Sequence, residues 1–395
     1  MRVLLLKLNA MYKNKLTIKT ILAWATFCMA LICATSSIII HGQWPRHSLI
    51  ALSILTILLS FKDIKITEEF KQYIYPWFPW LLGLIILCFY HGMDGFSRYF
   101  NAIGLVVLLF FSLQKISISL SLLLSSLCLI SLIFSSFICF DVISQGGVQT
   151  NILGVNKNIL IPLNTLCNVS CLIGLLTHFQ SLKKITIYLL LISLSLAIIT
   201  LVLTECRTAL LAYLALFPIV FFQLKNFNKK FLLLFFALLI LLVAMFFFTG
   251  RVQDGIDDLL QLSSGNANSS LGIRFTLWRI ALDGFQTAPF FGIGPHFTLS
   301  DLSGDIPHYV RGILHLHSDY FQFLAIGGLI GLISWLLTCL YLVFWSKGNP
   351  CCQAIILASL AMGLTEKYWN YWASLVEISI LIALFYQTNR KKNKV

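Results

Sequence analysis

The residues with the most chemistry to offer here are a few arginines, two histidines and three aspartates, all in short polar stretches of a very apolar chain. Arg207 lies in Thr204-Glu205-Cys206-Arg207-Thr208, between two apolar runs. Arg274 lies in Ser270-Leu271-Gly272-Ile273-Arg274, followed by Trp278, Arg279 and Ala281. Asp254, Asp257 and Asp258 open the same long polar stretch, and His315-Leu316-His317-Ser318 closes it. A guanidinium is a planar fork that grips two oxygens of a phosphate, whereas lysine is a point charge on a flexible stem. An imidazole moves protons near neutrality or ligates a metal. His315 and His317 lack an evident third ligand at metal-binding spacing. The aspartates read most simply as a solvated helix start. No metal and no cofactor is therefore expected.

The elements that must position these residues are helices in a membrane. The chain has 395 residues, 58% of them hydrophobic and only 11% charged, with mean hydropathy +0.88. That composition excludes a soluble domain. Apolar runs long enough to cross a hydrocarbon core recur from end to end. They are solidly apolar rather than alternating, which selects helices over a β-barrel. We read an all-α integral membrane protein of about twelve transmembrane helices. The spans lie near 20–40, 47–61, 77–91, 100–113, 116–140, 159–180, 185–203, 208–224, 231–249, 318–345, 351–365 and 370–387. The whole chain, 1–395, reads as one polytopic membrane domain, with a long outer loop at 250–317 inserted between spans. Residues 1–40 resemble a long signal peptide, but the apolar run is too long for one and reads as an uncleaved first span.

Charge orients the bundle. A net charge of +13 in a soluble protein would point to nucleic acid. Here the positive-inside rule accounts for it, and the implied partners are membrane lipids with no nucleic acid. With both termini cytoplasmic, the outer segments hold Arg46, Arg98, Lys157, Arg207, Arg251, Arg274, Arg279, Arg311 and Lys367. The other basic residues, mostly lysines, fall on the inner side. Orientation requires charge alone, so an outer set dominated by arginine suggests phosphate recognition. The 11 cysteines lie mostly within apolar runs and read as small packing residues rather than a disulfide framework.

Within the outer loop a helix is expected over about 273–286, with Arg274, Trp278, Ala281 and Phe285 on one stripe and Pro289 and Gly292 ending it. Such a helix suits a membrane surface, with Arg274 toward a lipid headgroup. Phe291-Gly292-Ile293-Gly294-Pro295 reads as a turn with backbone freedom. Gly327, Gly328 and Gly331, in the span after His317, leave room for a neighbouring helix or a lipid tail.

The order and spacing of these stretches resemble the bacterial O-antigen ligases, in the superfamily that includes the O-antigen polymerases. His317-Ser318, nine residues, Gly328, two residues and Gly331 resembles one signature of that family. The segment carrying Arg274 is similar to its arginine-bearing helix, and Thr204 to Thr208 to its other functional arginine site. Gly154-Val155-Asn156-Lys157-Asn158 resembles a weaker pattern before a span. Ser318 stands where asparagine is more usual. The likeness covers roughly residues 140–345.

The resemblance implies a glycosyltransferase of lipopolysaccharide biosynthesis at the periplasmic face of the bacterial inner membrane. Its donor would be an O-antigen polysaccharide on undecaprenyl diphosphate, and its acceptor the lipid A–core oligosaccharide. The anomeric centre would invert. On this reading Arg207 and Arg274 bind the diphosphate and His317 is the catalytic base, with His315, Arg279 and Trp278 as possible support. Two alternatives stand beside it. An O-antigen polymerase uses the same donor, although polymerases often carry two sizeable periplasmic loops. A lipid or polysaccharide transporter would tend to place several charges deep in its spans, where Glu377 is the one clear carboxylate.

Overall fold

Apolar runs set the helices, and polar breaks set the joints between them. The computed structural model describes residues 18–36, 44–60, 68–147, 151–153, 155–222, 229–248, 250–346 and 349–389. Gly154 of the weaker sequence pattern lies outside the described residues. The helices are α1 (Ile18–Ser36), α2 (Trp44–Ser60), α3 (Glu68–Ile74), α4 (Phe78–His91), α5 (Ser97–Ser112), α6 (Leu120–Ser144), α7 (Lys157–His178), α8 (Lys184–Thr204) and α9 (Arg207–Leu214). They continue as α10 (Phe217–Phe222), α11 (Lys229–Phe248), α12 (Arg251–Ser263), α13 (Ser270–Thr287), α14 (Leu299–Leu302), α15 (Asp319–Trp345), α16 (Pro350–Met362) and α17 (Trp372–Asn389). A two-stranded antiparallel ladder pairs Asn151 with Asn156 and Ile152 with Val155 at the entrance to α7.

The fold is all-α, as the sequence indicates. Helix occupies every one of the expected spans, and the segment 208–224 is divided into α9 and α10. Among the described residues, five helical stretches are long and apolar enough to cross a membrane: Phe70–His91, Leu120–Ser144, Lys157–Ser181, Lys184–Thr204 and Asp319–Trp345. The expected count of twelve rests on the shorter apolar helices as well.

Helix α7 is the axis of the bundle, buried along nearly its whole length and packed against α6, α8, α9 and α16. Its polar side chains are satisfied by neighbours. Ser131 Oγ donates to Asn164 Oδ1 at 2.7 Å and Asn168 Oδ1 at 2.9 Å, and Asn164 Nδ2 donates to Ser135 Oγ at 2.7 Å. Buried amides without partners would cost several kcal/mol each in hydrocarbon, so such cross-helix pairing is required. Glu377 is fully buried and meets Cys167 Sγ at 3.8 Å. All 11 cysteines are free, in keeping with a packing role.

Helix α15 is broken. Gly328 has φ 57° and ψ −148°, a conformation essentially reserved for glycine. The turn after α13 lies against this break and takes up its backbone groups. Ile293 N–H donates to Ala325 O at 2.8 Å, Gly294 N–H to Ile326 O at 3.1 Å, and Leu329 N–H to Pro289 O at 2.9 Å. A Cβ on Gly292 would come within 2.6 Å of backbone at Ala325, Gly327 and Gly328, and one on Gly328 within 2.6 Å of Phe290 and Pro289. Gly327 packs on Leu87 of α4. The glycines thus admit a neighbouring helix and a backbone strap, and the space envisaged for a lipid tail is filled.

The segment 250–317 has its own small core. Leu277, Ile280 and Ala281 of α13 pack with Leu299, Leu302, Val310, Leu316 and Ala325. This face is rotated from the Trp278–Phe285 stripe read in the sequence, because the helix packs onto protein that a periodicity argument cannot see. Trp278 and Phe285 are half-buried beside it.

Candidate functional site

Arg207, Arg274 and His317 stand at or near helix ends, where local backbone geometry fixes them, and Trp278 and Arg279 lie mid-helix in α13. Helix α8 ends at Thr204, and Glu205 caps it in the left-handed region at φ 51°. This reversal makes Arg207 the first residue of α9. Arg207 Nη2 lies 3.7 Å from Asp254 Oδ2 on α12. Helix α13 begins where Ser269 Oγ accepts from Gly272 N–H at 3.1 Å, a side-chain N-cap. Arg274 lies one turn further on. Its Nη1 donates to Ser270 Oγ at 2.8 Å and Ser270 O at 3.2 Å, its Nε to Thr365 O at 3.4 Å, and its Nη2 pairs with Glu366 Oε1 at 3.5 Å. A guanidinium has five N–H groups, so at least one remains on Nη2. Arg274 is thus held rigidly from three sides.

Arg207 and Arg274 share a cavity of about 440 Å³ with Lys157. Asp254, Asp257 and Asp258 line it from α12, along with Glu205. The volume lies within the range of small-ligand sites. The aspartates are more than a solvated helix start, since Asp254 faces a cation that an anionic ligand would also seek.

His317 lies behind Arg274, outside the lining of that cavity. Its φ is 48°, left-handed and uncommon for a residue with a Cβ. The peptide before it is pinned on both sides. Leu316 N–H donates to Gln322 Oε1 at 3.1 Å, and Trp278 Nε1 donates to Leu316 O at 3.2 Å. The Trp278 ring stacks on Phe321 at 5.1 Å. Trp278 therefore supports the histidine through its backbone. His317 Nδ1 is 3.1 Å from both oxygens of Glu366.

Glu366 is the residue that sequence reasoning missed. It is 5% exposed and lies between α16 and α17. Oε1 also accepts from Asn158 Nδ2 at 3.3 Å. Asp319, a second omission, fastens this segment to the start of α15. Its N–H donates to Gly363 O at 2.8 Å, Oδ2 accepts from Trp369 N–H at 2.7 Å, and Oδ1 accepts from Asn370 N–H at 2.9 Å and Nδ2 at 3.0 Å. Asp319 is two positions after His317, so the same clamp sets the histidine against the glutamate.

His315 stacks at a tilt on His317, ring centroids 4.1 Å apart. Burial pulls its pKa down to about 4, with the neighbouring His317 and the cations Lys367 and Arg274 adding to the effect. His315 is therefore neutral at pH 7. Burial, followed by Arg98, also lowers the Lys367 ammonium from its usual value. Arg279 is exposed, and no hydrogen bond or ion pair involves it among the described residues. The structure brings Arg207, Arg274, His315, His317 and Trp278 to one region and leaves Arg279 apart.

His315, His317 and Glu366 each offer one ligand atom, all within 4.8 Å of one another. Glu366 supplies the third ligand that the sequence lacked, so these residues could hold a metal ion. Arg274 and Lys367 beside them oppose a dication, and we assign no metal here.

The arrangement sets a cavity lined by the cations Lys157, Arg207 and Arg274 and the carboxylates Glu205, Asp254, Asp257 and Asp258 beside a carboxylate-bound histidine. No curated protein matches the chain. Residues 192–336 match a family model described as O-antigen ligase, a segment that holds Arg207, Arg274 and His317. Over that segment, which is less than half of the chain, the protein is similar to the O-antigen ligases.

Proposed function

We propose that this protein is an O-antigen ligase, moving a polysaccharide from undecaprenyl diphosphate to the lipid A–core oligosaccharide at the periplasmic face of the inner membrane. The observation that carries the reading is that Arg207 and Arg274 line one cavity while Arg274 and His317 share the carboxylate of Glu366. In the reaction the bond from the anomeric carbon to the diphosphate oxygen breaks. A bond from an acceptor hydroxyl oxygen to that carbon forms, and the hydroxyl proton passes to His317. The diphosphate leaves with its electron pair, and Arg207, Arg274 and Lys157 offset its charge in a partly dehydrated site. A direct displacement needs nucleophile and leaving group on opposite faces of the carbon. A base behind Arg274, outside the diphosphate cavity, suits that requirement and an inverted product. We expect no metal in the reaction, since the cations are already in place.

The test is reconstitution of purified protein with a lipid diphosphate-linked glycan and a lipid A–core acceptor, with and without chelator. Core-linked product that survives chelation supports the reading. Loss on chelation, restored by magnesium, would give charge neutralisation to Asp254, Asp257 and Asp258 instead. A polymerase would lengthen the lipid-linked glycan and leave the core acceptor unmodified.

A further inference from the structure

We propose that Glu366 is the positioning residue for His317, fixing its ring so that Nε2, and not Nδ1, receives the hydroxyl proton. The inference rests on the transferase reading above, and it assigns a residue outside the segment that matches the family model.

A carboxylate only accepts hydrogen bonds. With Glu366 ionised, Nδ1 of His317 must carry the proton of their 3.1 Å contact. The lone pair then resides on Nε2. The same carboxylate stabilises the imidazolium that forms as Nε2 is protonated. Each oxygen has a distinct setting. Arg274 Nη2 and Asn158 Nδ2 both approach Oε1, which leaves Oε2 to the histidine alone. Arg274 and Asn158 also line the diphosphate cavity. Glu366 thus touches both the proposed base and a proposed diphosphate ligand.

The bland account is that Glu366 merely balances the charge of buried Arg274. The backbone argues for more. His317 adopts a left-handed conformation, which is uncommon and strained for a residue with a Cβ. That geometry is held by Trp278, Gln322 and the Asp319 clamp. An ion pair for Arg274 alone would not require the imidazole to be aimed.

The substitution Glu366→Gln separates the two accounts. Its carbonyl would stay where Arg274 and Asn158 donate, which turns the amide NH₂ toward Nδ1. The histidine must then accept at Nδ1 and carry its proton on Nε2, the wrong tautomer for a base. We expect kcat to fall on the order of 10²–10⁴-fold, the range for loss of general-base catalysis or of its orienting carboxylate. Donor KM should change by less than about threefold, since Arg274 keeps an oxygen partner. Glu366→Asp should recover part of the rate. An activity-independent measurement accompanies these: ¹⁵N-histidine NMR of the full chain in nanodiscs, with His317 assigned by its loss in His317→Gln. The wild type should show the Nδ1–H tautomer and Glu366→Gln the Nε2–H form. An unchanged tautomer, or a raised KM with kcat intact, overturns the proposal and makes Glu366 a counter-ion. If the tautomer switches but the wild type transfers glycan to neither acceptor, the positioning role stands and the transferase reading falls.

Discussion

At the scale of single residues, the arginines and histidines divide the work by their surroundings. Arg274 is clamped and Arg207 is half-exposed against Asp254. Arg207→Ala and Arg274→Ala should each lower transfer at least about 100-fold, as for loss of an oxyanion-stabilising donor, with normal accumulation in the membrane. Arg274→Lys should rescue poorly, because one ammonium cannot replace bonds to Ser270, Thr365 and Glu366 and also serve the cavity. Full activity of that variant would show that charge alone suffices. Asp254→Asn should lower donor KM by up to about fivefold, since an exposed pair is worth ~0.2–1 kcal/mol. His317→Ala should lose turnover and His315→Ala distinctly less.

His315 also gives a pH prediction. Its folded pKa, about 4, lies below its ordinary 6.5, so between these values the unfolded chain binds the extra proton. Stability then rises with pH across that window and falls on acidification. Relative to His315→Gln, the wild type should lose thermal stability as pH drops from 6.5 to 4, and a constant difference between the two would refute the burial argument. The two arginines and His317 were legible in the sequence because each lies in a polar break beside apolar runs. Glu366 was not, since a lone glutamate 49 positions from its partner carries no local signal.

At the scale of elements, the decisive feature is the junction of the outer segment with the broken helix α15. The sequence marks Gly292, Gly294, Gly327 and Gly328 as small or flexible, but not that the two sets meet. Their pairing joins residues 32 to 40 positions apart and depends on α13 packing onto Ala325 and Leu316. That packing also corrects the helix face: Leu277 and Ile280 point inward, and the Arg274–Trp278 side is left to the site. The Gly328 backbone is strained for any L side chain, and a Cβ there meets the strap backbone at 2.6 Å. Gly328→Ala should therefore lower Tm in detergent by an amount equivalent to at least ~1–3 kcal/mol. It should also reduce transfer by displacing the strap. Gly304→Ala is the control, because nothing lies within 4 Å of its added methyl. Equal Tm for the two variants would mean that the strap does not hold the break.

At the scale of the whole molecule, the helix order was readable because hydropathy acts over whole spans, and the arrangement was not, because it depends on which faces meet. Helix α7 gave no sign in the sequence of being the axis. Its asparagines look like misplaced polar residues until Ser131 and Ser135 are seen to satisfy them. Orientation, in contrast, is an expectation from charge alone. Lys225 precedes α11, Lys229 and Lys230 open it, and the arginine-bearing segment 250–317 follows it. Helix α11 has 20 residues and so extends about 30 Å, one hydrocarbon thickness. If it crosses, Lys230 and Ser264 lie on opposite sides, and the cavity of Arg207 and Arg274 opens where the lipid-linked donor is presented. Reporter fusions after Lys230 and after Ser264 should read cytoplasm and periplasm respectively, with both chain termini cytoplasmic. Identical compartments at the two sites would remove α11 as a span. With α9 and α10 crossing, Arg274 would then lie across the membrane from Arg207, and the cavity they share could not form.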